Sequence, residues 1–117
     1  MRHLKEGKKF HRLTGQRRSF LRNLANDLVR SGRIETTEVR AKAIRPIVER
    51  LVTIAKKQTL AARRLLIQRV HHAGTAGKLY EELGPRYHDR AGGYLRIVKL
   101  AKTRKRDGTR MVRIEFV

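Results

Sequence analysis

The chain has 117 residues, thirty of them Lys or Arg and only ten Asp or Glu, for a formal net charge of +20. That length holds one domain with a modest core, and the absence of cysteine excludes disulfides, zinc fingers, iron–sulfur clusters and thiol catalysis. No apolar run approaches the ~18 residues of a membrane span and no secretory apolar segment opens the chain, so an intracellular protein is expected.

Residues 1–13 read as a basic arm, with Arg2, Lys5, Lys8, Lys9 and Arg12, a flexible Gly7 and no sustained period. Such a segment is expected to order only against a partner, with Phe10 and Leu13 as candidate anchors. The single domain is expected over 14–117. A first helix begins near Thr14 or Gly15, where Phe20, Leu21, Leu24, Ala25, Leu28 and Val29 form one apolar stripe and Asn26 falls off it. Gly32 supplies a left-handed stop. The β-branched run Arg33–Thr37 predicts a brief strand, and Thr37 is placed to cap a second helix over about 38–57, with Glu38 in its first turn. Pro46 lies inside that helix without breaking the apolar phase, so a kink or brief interruption is expected. A third helix is predicted over about 59–72, ended by Gly74, and a fourth over about 75–83, stopped by Gly84-Pro85. After a loop, Tyr94–Ala101 reads as a strand with Ile97, Val98 and Leu100 in the core. Asp107-Gly108 marks a turn, and Met111–Val117 alternates as the return strand. The whole is an α+β fold of four helices and a small three-stranded sheet.

The charge is spread over the chain. Residues 1–18 hold seven cations against Glu6, residues 50–80 hold seven with no acid, and residues 96–113 hold eight against Asp107. So large an excess on so small a body is self-repulsive unless a polyanion is at hand, and nucleic acid is the favoured partner over an anionic membrane or an acidic protein. Lys102, Arg104, Lys105, Arg106 and Arg110 cluster around the hairpin connection, a projection suited to a phosphate backbone. Catalytic constellations are hard to find. The adjacent Glu81-Glu82 diverge on a helix, His71-His72 lack the i, i+4 spacing of helical metal ligands, and Gly92-Gly93 lacks the rest of a phosphate loop. No enzyme activity, metal or cofactor is expected. Tyr87 and Tyr94 flank basic Arg86, His88 and Arg90, where packing against the helices is favoured over stacking on bases. With no recognition helix in view, the pattern favours backbone and shape recognition of folded RNA. A DNA-compacting, nucleoid-type protein is the alternative, and an RNA-modifying enzyme a disfavoured third class.

Several stretches, taken in order, resemble one family. They are Met1-Arg2-His3-Leu4-Lys5-Glu6-Gly7-Lys8-Lys9, Arg17-Arg18, Arg22-Asn23-Leu24, Ile34-Glu35-Thr36-Thr37, Arg40-Ala41-Lys42-Ala43, Leu51-Val52-Thr53-Ile54-Ala55-Lys56, Leu83-Gly84-Pro85-Arg86-Tyr87 and Arg90-Ala91-Gly92-Gly93-Tyr94. Together they resemble the bacterial-type large-subunit ribosomal protein L-seventeen family over essentially the whole chain. The resemblance implies a cytoplasmic, structural protein bound to large-subunit ribosomal RNA near the exit of the nascent-peptide tunnel. Other large-subunit proteins would be its neighbours, and no membrane is implied. Carried over by residue, it implies RNA contacts from Arg2, His3, Lys5, Lys8, Lys9, Arg12, Arg17, Arg18 and Arg22. It adds Thr36, Thr37, Arg40, Lys42 and Arg45, then Arg86, Arg90 and the hairpin cations Arg104, Lys105 and Arg106. Leu4 and Gln16 depart from the Arg and His common in the family, and the C-terminal extension of many members is expected to be absent.

Overall fold

The computed structural model describes Phe10 and residues 12–117; residues 1–9 and His11 of the expected arm lie outside the described residues. Helix α1 (Thr14–Ser31) buries Leu28 and Val29 completely and ends where expected. Gly32 adopts φ +81°, and its N–H donates to the Leu28 carbonyl at 2.8 Å. Asn26 departs from expectation: it is buried, and its Nδ2 donates to the Val70 carbonyl at 3.1 Å. Buried amides persist in a core only with such partners.

Strand β1 (Arg33–Thr37) runs directly into α2 (Glu38–Ala55). Thr37 caps the helix as predicted, its Oγ1 accepting the Arg40 N–H at 3.4 Å. Pro46 does not interrupt α2, which is continuous and ends at Ala55, short of the expected 57. Proline removes the donor that the Lys42 carbonyl would otherwise meet. Both residues are exposed, so water can serve that carbonyl.

Helix α3 (Leu60–Val70) starts at a Thr59 cap, with Oγ1 accepting the Ala62 N–H at 3.1 Å. It is shorter than predicted because His71, not Gly74, turns left-handed at φ +56°. Gly74 instead lies in the first turn of α4 (Ala73–Lys78), which His72 caps through Nδ1 and the Thr75 N–H at 3.1 Å.

Gly84-Pro85 does not stop this helix. α4 passes through a π turn (Leu79–Leu83) into a further helical turn (Gly84–Arg86). The Gly84 N–H bonds the Leu79 carbonyl five residues back, which skips the carbonyl of Tyr80. The next residue is Pro85, with no N–H to offer it. Gln58 supplies the donor: its Nε2 lies 2.7 Å from both the Tyr80 and the Ala55 carbonyls. Gly84 is required by close approach, since a Cβ there would stand 2.6 Å from the Ala55 oxygen.

Strands β2 (Leu95–Thr103) and β3 (Arg110–Phe116) complete an antiparallel sheet of order β1-β3-β2. Ile114 pairs with Ile34 on one side and Ile97 on the other, and Phe116 pairs with Leu95. Because side chains alternate along a strand, this register sends Leu95 and Ile97 to the core face and Val98 to the opposite one with Arg96, while Leu100 lies in the register shift between Lys99 and Thr103, half-buried and outside the core cluster. The expected three-residue core of β2 is corrected accordingly. Tyr94, just before the strand, is buried with it. Helix α2 touches all three strands, so the core lies between the helices and one sheet face, with Ile44, Val48, Val52, Leu66 and Leu79 fully enclosed. The predicted α+β class, with four helices and three strands among the described residues, is what the chain adopts. No helix among them is long and apolar enough to cross a membrane.

Candidate nucleic-acid interface

Two basic side chains, one from just before α1 and one from α2, are organised by a ring of α1. Phe20 has the Arg12 guanidinium 4.2 Å from its centroid, that of Arg40 at 5.1 Å, and the Phe10 ring edge-on at 5.5 Å. Cation–π attraction thereby brings a cation from before α1 beside one from the first turn of α2. Phe10 makes the anchoring contact expected of it, whereas Leu13 is 73% exposed and anchors nothing among the described residues. Arg17, Arg18 and Arg22 follow along α1, Arg22 donating to Ser19 Oγ at 3.2 Å.

The remaining candidates are placed less uniformly. Thr36 and Thr37 are only 5% and 8% exposed, and the Thr37 hydroxyl is occupied by its cap. Lys42 pairs with Glu38 at 3.0 Å and Arg45 with Glu49 at 3.2 Å, so both cations are partly neutralised. The Lys42 hydrogen bond holds the Glu38 carboxyl below the usual carboxylate range. Glu49 also accepts the Tyr94 N–H at 3.3 Å, joining α2 to the start of β2.

Arg86 donates to the Val117 carbonyl at 3.2 Å and lies over the Tyr87 ring; the Tyr87 hydroxyl donates to the same carbonyl at 2.7 Å. Tyr87 and Tyr94 are buried and in contact, centroids 5.3 Å apart. They pack inside, and their faces are not offered to bases. Arg90 bonds the Gly92 carbonyl at 3.2 Å, while its own carbonyl receives Lys56 Nζ.

At the hairpin tip Arg104 Nε holds Asp107 Oδ1 at 3.1 Å, and the Thr109 N–H reaches the same oxygen at 3.2 Å. These contacts, Arg104 foremost, bring the Asp107 pKa down to about 2. Gly108 turns the chain at φ +64°. Lys105 and Arg106 stand exposed beside this clasp, with no ion pair among the described residues. The outer sheet face is different. Glu115 takes Arg96 at 2.9 Å and Arg113 at 3.4 Å, and Glu35 takes Lys102 at 2.5 Å. Arg96 above all lowers the Glu115 pKa, and Lys102 that of Glu35.

Two basic residues outside the expected contact set matter in the fold. Arg50 of α2 and Arg69 of α3 join Arg18 and Arg22 around the cavity between α1, α2 and α3. Their sequence signal was the acid-free stretch 50–80, but which of its seven cations share a face depends on helix packing. Among the expected contacts, Arg2, His3, Lys5, Lys8 and Lys9 lie outside the described residues.

Residues 20–117 match the family model described as Ribosomal protein L17. The chain belongs to the ribosomal protein L17 family. It is 50% identical over 117 residues to the Large ribosomal subunit protein bL17 of Gemmatimonas aurantiaca, covering 100% of this chain and 98% of the relative. To the protein of the same name from Persephonella marina it is 51% identical over 118 residues, covering 100% and 95%. To that of Thermus thermophilus it is 43% identical over 117 residues, covering 100% and 99%. The L17 family model thus takes in Phe20 and everything after it. The relatives extend the likeness through the basic residues that precede it.

Proposed function

We propose that this chain is a structural component of the large ribosomal subunit, in the cytoplasm, where it binds and stabilises large-subunit ribosomal RNA. It neutralises phosphates where RNA segments crowd together, near the peptide exit tunnel and beside other large-subunit proteins. The observation that carries this reading is the likeness, over the entire chain, to proteins named as large-subunit components. The charge supports it: Arg12 and Arg40 gathered on Phe20, and Lys105 and Arg106, which have no ion pair among the described residues, suit phosphate contacts. Most of the acids among the described residues instead hold cations, which supports a structural rather than catalytic role.

If about ten cations meet phosphate, log affinity for large-subunit ribosomal RNA falls against log salt with a slope of about −7 to −9. The protein also travels with large subunits in sucrose gradients at low salt. A slope near zero, or equal affinity for duplex DNA of the same length, overturns the reading, the latter in favour of a nucleoid role.

A further inference from the structure

Helices α1, α2 and α3 enclose a cavity of about 510 Å³ whose chemistry is divided. Its floor is aliphatic: Leu21, Ile47 and Ile54 are half-buried above the buried Ala25, Leu51 and Val70. Its rim carries Arg18, Arg22, Arg50 and Arg69. None of the four is in an ion pair among the described residues. An aliphatic floor favours a flat, poorly hydrated group, while guanidinium groups favour anions with two-point acceptors. A nucleotide carries both on one small unit, a flat base with weakly hydrated faces between two phosphates. Pockets of ~300–1,000 Å³ hold ligands of that size. A peptide would need several carboxylates spaced to the same rim, whereas an RNA strand brings a phosphate with every nucleotide.

The adjoining wall adds a second observation. A neighbouring cavity of about 390 Å³ shares Arg22 and Val70 and is lined by Asn26. Asn26 is 9% exposed, and its Oδ1 has no hydrogen-bond partner among the described residues although its Nδ2 is engaged. A buried acceptor left unused within the chain is uncommon, and a nucleotide offers donors in its ribose hydroxyl and base amino groups.

We infer that the cavity between α1, α2 and α3 seats one unstacked nucleotide of the bound RNA, its base on the aliphatic floor and its flanking phosphates on the arginine rim. This rests on the RNA-binding reading and adds a base contact to what is otherwise backbone recognition.

The test fills the floor without touching the charge. Full-length Ile54→Trp binds transcribed large-subunit ribosomal RNA about tenfold or more weakly than the parent, with an unchanged salt slope because no cation is lost. A base that the parent shields from dimethyl sulfate or carbodiimide regains reactivity. The double variant Arg50→Gln/Arg69→Gln instead makes the slope shallower by about 1.4 to 1.8. Parent-like affinity and base protection in Ile54→Trp overturn the cavity assignment while leaving RNA binding intact. Absence of salt-dependent binding by the parent itself removes both. Full RNA affinity with failure to enter reconstituted large subunits shows that a protein segment fills the cavity, which also overturns the inference. If circular dichroism shows Ile54→Trp unfolded, Leu21→Trp on the α1 wall takes its place. The parent footprint decides independently: protections confined to the backbone, with no shielded base, sink the proposal.

Discussion

Gln58 holds a backbone position that few side chains tolerate, φ +52°, between the end of α2 and the start of α3. Its amide is the reason it matters, because it replaces the donor that Pro85 lacks and closes the π turn onto the end of α2. Gln58→Ala removes the side-chain donor from the Tyr80 carbonyl, which is exposed enough for water to replace it in part, and lowers stability by about 0.5–1.5 kcal/mol in urea unfolding. Gly84→Ala has a similar or larger effect, because its Cβ would stand 2.6 Å from both the Ala55 backbone oxygen, which cannot move aside cheaply, and Gln58 Nε2, whose bond it would displace. An unchanged midpoint in both would show that the π turn is not held by this contact. The sequence shows Gly84 and Pro85 plainly, and by helix rules they mark an end. The route around them depends on Gln58, some twenty-five residues earlier, and could not be read from local signals.

Among the elements, the C-terminal hairpin carries the clearest pH signature. Asp107 has its pKa lowered from 3.8 to about 2 by Arg104 and then by Thr109. A carboxylate depressed on folding stabilises above its unfolded pKa, and that contribution disappears as pH falls through the folded value. The clasp at the tip is therefore intact above pH about 4 and opens near pH about 2. Carboxyl NMR titration is expected to give Asp107 a midpoint of about 2. In Arg104→Gln the midpoint returns toward the ordinary aspartate value. A parent midpoint at the ordinary value would remove the clasp. The turn itself was legible from Asp107-Gly108. The face of each β2 residue was not, because four apolar residues in six leave two alternations open and only pairing with β3 selects one.

For the molecule as a whole, two effects of salt compete. The net charge of +20 repels itself, while the exposed ion pairs attract. Such pairs contribute about 0–1 kcal/mol each and weaken with screening. The repulsion involves every cation over distances up to the Debye length, which shrinks from ~30 Å to ~10 Å between 0.01 and 0.1 M salt. The long-range term outweighs the local pairs, so the melting temperature of the free protein rises over that interval. A fall in calorimetry would mean that the ion pairs dominate. Large-subunit ribosomal RNA should stabilise the protein in the opposite salt regime, most at low salt, where phosphate contacts are strongest.

The sequence by itself determined the fold class, the order of elements, the Gly32 stop, the Thr37 cap and the basic excess along the chain. Each of these follows from periodicity, turn chemistry or charge within a few residues. Only the tertiary structure decided which cations stand together. Arg12 meets Arg40 because both reach one ring, and Arg50 and Arg69 meet Arg18 and Arg22 because three helices pack with that rotation. It likewise buried Thr36, Thr37 and Asn26 and carried α4 through Pro85. Those outcomes depend on partners distant in sequence, for helix rotation and strand register are set by which faces bury together, and local sequence carries that information only in part.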